Sequence, residues 1–335
     1  MKTLEPHDWP LIPRGTAFED HVVGRVFDHH WGRTIHGSDN IAFSTQMLAF
    51  NPMYFNRTAA VAAGHPDEVV NPLLVFDVVF GLSVEDLSEA GGPFLGASAV
   101  EYIRDVYPGQ TLTASSTVVD ARKSASRTDA GIVTWETLGR VAADPVIRFR
   151  RTNLVRLRAE SHGLAAVPDG FAEDFVVGAR FRHARTRTIT DLDLNGLTLL
   201  VMNTASGHFS EQEMAGSAFG GRINFGGLTL ALTVGLATQD TSGQSVREIG
   251  LDDIRFAVPV RHGDTVGAAT EVLAVEPIAG GDAIVSFRHF GMNQHGDVVC
   301  EVTRKLQVRT RSTAADFASI GRDFDSTSST NATER

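Results

Sequence analysis

Cysteine is almost absent from this chain of 335 residues: Cys300 stands alone. That removes any internal disulfide framework and leaves no cysteine–histidine spacing for a zinc finger, so a reducing, cytoplasmic setting is the expectation. Positive charge is also in short supply. Thirty Lys and Arg residues face forty Asp and Glu, a formal net charge of −10, and with no overall basic field to hold a phosphate backbone, nucleic acid is not expected as a partner. Lysine is scarcest of all, confined to Lys2, Lys123 and Lys305, a bias that carries no functional weight. No run reaches eighteen uncharged apolar residues, and Met1-Lys2-Thr3-Leu4-Glu5-Pro6 puts an acid and a proline where an export signal needs an apolar stretch. Neither export nor membrane spanning is expected.

What is present is an ordinary globular composition, 42% apolar and 21% charged, in which the chain repeats itself. Laying position i on position i+154 pairs Glu19-Asp20 and Val22-Val23-Gly24 with Glu173-Asp174 and Val176-Val177-Gly178. Phe27, His29, Arg33, Thr34 and Ile35 recur as Phe181, His183, Arg187, Thr188 and Ile189. Asp39, Phe55, Leu74, Gly81, Gly109, Thr111 and Val118 continue the series. At least seventeen residues recur over a hundred columns, where residue usage alone gives about six or seven. The register then slips by two, so that Ile132-Val133 matches Ile284-Val285, as a changed hairpin loop produces. The implied organisation is an N-terminal extension over 1–15, a first unit over 16–156, a linker over 157–169, a second unit over 170–311 and a disordered tail over 312–335.

Each copy reads in the same order: a short strand, a helix opened by Ser38-Asp39 or Thr190-Asp191, a more apolar helix, then strand-like runs, which in the second copy are separated by Gly-Asp turns. In the second copy the apolar helix starts at Gly226-Gly227 and is small and apolar on nearly every side, so it should be buried, with a sheet wrapped around it. The expected fold class is α+β. Glycines at that start let a ligand approach backbone N–H groups that no helical carbonyl can pair; a packing glycine pair is the alternative reading, and which of the two would donate stays open. His29 and His183 read as structural, and Asp39 and Asp193 as helix caps.

Three stretches, Asn203-Thr204-Ala205-Ser206-Gly207-His208, Arg255 to Thr265 and Asn293-Gln294-His295-Gly296, resemble the MaoC-like dehydratases and (R)-specific enoyl-CoA hydratases. The branch they resemble most is the double hot-dog one that includes mesaconyl-CoA (2-methylfumaryl-CoA) hydratase. The resemblance covers roughly 15–311 and implies a double hot-dog: two tandem copies of an antiparallel sheet around a central helix. It also implies a hydro-lyase that adds or removes water across the double bond of a short branched enoyl-CoA. A dehydratase of another acyl-CoA or carrier-bound thioester, and a non-catalytic thioester-binding scaffold, are the alternatives. Coenzyme A enters only as part of the substrate, with no other cofactor and no metal. Further association of such units into a homo-oligomer is plausible by the same resemblance.

Such chemistry needs a base for water, a proton for the α-carbon and a stabiliser for the enolate oxygen. By the resemblance His208 and Asn203 are the catalytic pair, and Gly226 or Gly227 supplies the amide facing the thioester oxygen. Where the commoner family wording has Asp, this chain has Asn203, which can hold water but cannot take its proton. Arg222, Arg304 and Lys305 are candidates for the CoA phosphates, with a solvated basic residue as the plainer reading of each. The first copy has Ala49 and Tyr54 at the places of Asn203 and His208, and Pro72-Leu73 at those of Gly226-Gly227. It is expected to lack acid–base function.

Overall fold

Apolar and polar residues alternating at period two dictate strands in both halves of the chain. The structure, a computed structural model that describes residues 5–158 and 170–314, assembles them into two units, Arg14–His162 and Met1–Pro13 with Gly163–Arg335. Of the linker expected over 157–169 only 157 and 158, and of the tail expected over 312–335 only 312–314, fall within the described residues.

In the first unit, strands β1 (Val26–Asp28), β2 (Arg33–Thr34), β3 (Phe94–Tyr102), β4 (Thr111–Lys123), β5 (Ala130–Val141) and β6 (Asp144–Arg156) form one antiparallel sheet. Their order is β1-β4-β5-β6-β3, with β2 beside β4. Along β5, Val133, Trp135 and Thr137 are buried and the residues between them are less so. The central helix, Pro72–Leu82, lays Val75, Val78, Val79 and Leu82 against Leu112, Ile147 and Phe149 of the sheet. Each such side chain contributes roughly 1.5–3 kcal/mol of burial.

The second unit repeats the arrangement with β7 (Arg180–Thr188), β8 (Ser245–Arg255), β9 (Thr265–Pro277), β10 (Ala283–Met292) and β11 (Val298–Val308), in the order β7-β9-β10-β11-β8. Its central helix, Gly226–Thr241, packs on β7, β9, β10 and β11. The fold is the double hot-dog: two tandem units, each an antiparallel sheet about one long helix. Both copies need a glycine where the helix crosses the sheet. A Cβ on Gly139 would stand 2.6 Å from Val79, and one on Gly291 would stand 2.2 Å from the Thr233 hydroxyl.

Residues 5–13 belong to the second unit. Ile12 N donates to Arg182 O at 2.9 Å, Arg182 N donates to Pro10 O at 2.8 Å, and buried Trp9 meets Phe290 edge-on. The repeated histidines also share surroundings. His29 Nδ1 bonds Asp86 and its Nε2 bonds Ser116, while His183 Nδ1 bonds Asp240 and its Nε2 bonds Thr270. Each is buried and ties sheet to helical segment through a carboxylate and a hydroxyl.

A third buried histidine sets a pH limit on the first unit. Trp135 Nε1–H donates to His21 Nδ1 at 3.3 Å, so the ring proton sits on Nε2 and is donated to Thr16 Oγ1 at 2.9 Å. The Thr16 hydroxyl in turn donates to Asp86 O at 2.6 Å. The neutral ring fits this chain; a protonated one would point a second N–H at the indole N–H. Burial accordingly pulls the His21 pKa down from 6.5 to about 4. Folding therefore favours the neutral form, and the stability it supports is full above pH 6.5 and drains away as the pH falls from 6.5 towards 4. The loss integrates to about 3 kcal/mol. Urea unfolding at pH 7 and pH 4.5 should show this slope, and His21→Gln should flatten it; an unchanged slope in that variant would assign it to another group.

Candidate active site

Local sequence builds the site at one end of the second unit's central helix. Asn203 Oδ1 accepts from Ala205 N at 3.0 Å and starts the tight turn Ser206–His208. Ser210 then caps the short helix Glu211–Ala215 by accepting from Glu213 N. The turn delivers the His208 ring, half-buried, to Ile223, the residue three before the central helix. His208 Nδ1 lies 2.9 Å from Ile223 O. A carbonyl only accepts, so Nδ1 carries the proton and Nε2 presents its lone pair. The ring leans on Phe225, 5.6 Å between centroids.

His208 lines a cavity of about 330 Å³ together with Asn224, Gly226, Thr229, Phe256 and Val299. A basic nitrogen and the start of a helix thus share one mostly apolar chamber. The helix start is bare. Phe225, its N-cap, offers no side-chain oxygen, whereas in the first unit Asn71 Oδ1 accepts from Leu73 N at 3.0 Å and Pro72 has no N–H to give. The two copies therefore differ in the one property that makes a helix start bind an oxyanion, free amide donors. Space beside these glycines is tight: a Cβ on Gly226 would sit 3.3 Å from the Phe256 ring, which must then give by a few tenths of an ångström, and one on Gly227 would sit 2.6 Å from the Phe225 ring.

The structure brings together His208 and Gly226, and separates the other candidates from them. Gly227 lines a different cavity, of about 370 Å³, with Leu230, Val234 and Leu251. Asn203, whose oxygen holds the turn, is absent from the described lining of the His208 cavity. Arg222 donates to Glu211 at 2.7 Å, to Asp191 at 3.2 Å and to Asn195 at 3.4 Å, and the Glu211 hydrogen bond raises its pKa. Glu211 is thereby a surface partner of Arg222, and Glu213 is exposed. Arg304 is buried inside the sheet, its guanidinium held by Glu248 and Ser242. Lys305, the next residue on β11, is exposed. In the first unit Tyr54 ends the turn Pro52–Tyr54 just as His208 ends Ser206–His208, with Asn51 accepting from Met53 N. That position there carries a phenol and no base.

Two polar residues of the cavity escaped the sequence reading, Asn224 and Thr229. At the repeat offset they stand where the first unit buries Val70 and Val75. A polar pair replacing an apolar pair at buried repeat positions was the signal available.

Among the described residues no cluster of three or more His, Cys, Asp or Glu side chains could hold a metal ion. No helix among them is long and apolar enough to cross a membrane.

Comparison with known proteins agrees on one family. A family model described as mesaconyl-CoA hydratase matches residues 11–174 and 164–310. A mesaconyl-CoA hydratase of Haloarcula hispanica is 33% identical over 330 residues, covering 88% of this chain and 91% of that protein. One from Haloarcula marismortui is 34% identical over 315 residues, 84% and 87% of the two chains. A beta-methylmalyl-CoA dehydratase of Chloroflexus aurantiacus is 26% identical over 306 residues, 82% and 86% of the two.

Proposed function

Because the chain belongs to the mesaconyl-CoA hydratase family, we propose that it adds water to, or removes it from, the double bond of a short branched enoyl-CoA of the mesaconyl type, with the chemistry in its second unit. The activities for which the relatives are named, hydration and dehydration, are the two directions of that one type of reaction. The observation that carries the site assignment is the pairing of a histidine whose Nε2 is free to accept a proton with a bare helix start on one cavity wall, and the loss of both in the first unit.

In the hydration direction the thioester oxygen lies against the Gly226 amide and the β-carbon faces His208. His208 Nε2 takes a proton from water as the water oxygen bonds to the β-carbon. The π electrons move through the α-carbon to the thioester oxygen, where the amide stabilises the enolate charge. Collapse of the enolate returns the electron pair to the α-carbon, which receives the proton from the imidazolium, leaving His208 neutral for the next turnover. Dehydration is the same path reversed. Asn203 supports this by holding the turn that presents the imidazole. The chamber is apolar around Phe256 and Val299, which suits a methyl-bearing acyl group and strengthens the amide's hold on the enolate.

Mixing the purified protein with mesaconyl-CoA and with crotonyl-CoA, and following enoyl-thioester absorbance, tests the proposal. Loss of absorbance that is faster with the branched substrate is expected. Equal rates would point to a broad hydratase, and binding without turnover to a thioester-binding scaffold.

A further inference from the structure

Asn224 sits immediately before the bare helix start and is 5% exposed. It lines the His208 cavity and also a neighbouring one, of about 240 Å³, beside Leu197 and Leu228. Its backbone N–H donates to Val260 O at 2.7 Å, matching the bond from Val70 to Val106 in the first unit. This backbone bond is therefore kept in both copies, while the side chain at the position differs.

That side chain has a defined direction. The Thr229 hydroxyl has one proton, which is donated to Phe225 O at 3.4 Å, so towards Asn224 it can only accept, and Asn224 Nδ2 donates to it at 3.0 Å. Asn224 Oδ1 is then left as an acceptor, buried and with no hydrogen-bond partner among the described residues. A buried carbonyl oxygen without a donor works against folding. The first unit avoids the cost by placing Val70 and Val75 at these two positions, both buried. A polar pair introduced at a price in stability, only in the copy that has His208 and the free amides, and on the wall of their shared cavity, indicates a group kept for a ligand that brings a donor.

We propose that Asn224 Oδ1 is a water-positioning group of the hydratase site, accepting one hydrogen of the attacking water, or of the substrate's β-hydroxyl in the reverse direction, while the other proton of that water goes to His208 Nε2. This rests on the hydratase reading above. Neither thioester oxygen nor CoA phosphate could satisfy Oδ1, since both are acceptors; water and the β-hydroxyl are donors. Asn224 supplies the orientation that a carboxylate gives in the commoner wording of the motif, and Thr229 holds the amide nitrogen so that Oδ1 is the end left unpaired. His208 remains the group that takes the proton.

The test compares the parent protein with Asn224→Val, which restores the first unit's residue, and Asn224→Asp, which keeps an acceptor. Asn224→Val is expected to lower kcat on the order of 10²-fold with KM within about threefold, and to melt no earlier than the parent because an unpaired buried acceptor is gone. Asn224→Asp is expected to retain more activity than Asn224→Val. A purely structural role predicts the opposite on both readouts: an earlier melt for Asn224→Val, and a buried carboxylate at least as harmful as valine. Parental kcat in Asn224→Val, loss of its fold, or Asp no better than Val would each overturn the inference while leaving the hydratase reading intact. A parent that turns over no enoyl-CoA would overturn both.

Discussion

His208→Ala is expected to lower the hydration rate constant by about 10²- to 10⁴-fold, the range over which a positioned acid–base group acts, with KM for the acyl-CoA changed by less than about threefold. The reasoning is local. Ile223 O fixes the ring proton on Nδ1, which leaves a single basic nitrogen on a ring that lines the cavity, and no other described side chain on that lining can take a proton in its place. Truncation also removes the Nδ1–H bond to Ile223, so a loosened turn could mimic the loss. His208→Asn separates the two effects. Its amide can donate to Ile223 O much as Nδ1 does, yet it has no basic nitrogen, so it should be as slow as the alanine variant while melting like the parent. Parental rates in either variant would remove His208 from the mechanism.

The second large effect concerns the helix start. Gly226→Pro is expected to lower kcat by roughly 10²- to 10³-fold, as removal of one oxyanion donor does, without unfolding the second unit. Proline suits the first position of a helix because its missing N–H is unpaired there anyway. The first unit already has it, as Pro72. Phe225, at φ −60° and ψ 128°, has the extended conformation that a residue before proline prefers. Gly226→Ala is the steric control: it presses a Cβ towards the Phe256 ring at 3.3 Å but keeps the N–H. Its loss should be clearly smaller than that of proline. Equal losses would mean that the cavity wall, and not the amide, matters at this position.

Much of this architecture was legible in the sequence because the duplication supplied its own alignment. A spacing of 154 residues placed His208 on Tyr54 and Gly226 on Pro72 before any coordinates, and the apolar run from Gly226 announced the central helix, although that helix is not buried all round as expected: Thr229, Thr233, Leu236 and Ala237 are buried, while Ala231, Gly235 and Thr238 on the other side are exposed. Directions of side chains were not legible. Asn203, expected beside His208 on the strength of a motif, turns its oxygen back to Ala205 N, since an Asn two residues before a free backbone N–H closes a turn with it. Arg222 and Arg304 read as free cations, but their carboxylate partners, Glu211, Asp191 and Glu248, come from other segments. The docking of residues 5–13 on the second unit was also hidden, because nothing in Trp9 or Ile12 names the surface that buries them. Asn224 and Thr229 were visible as differences between the copies; recognising them required knowing that Val70 and Val75 are core.

A crystal structure of the protein with a bound, non-hydratable analogue of the branched enoyl-CoA would test the central claim most directly. The account predicts the thioester oxygen within hydrogen-bond distance of the Gly226 amide, and the β-carbon turned towards His208 Nε2 inside the second unit. An acyl group seated in the first unit, or one whose thioester lies away from that helix start, would contradict it.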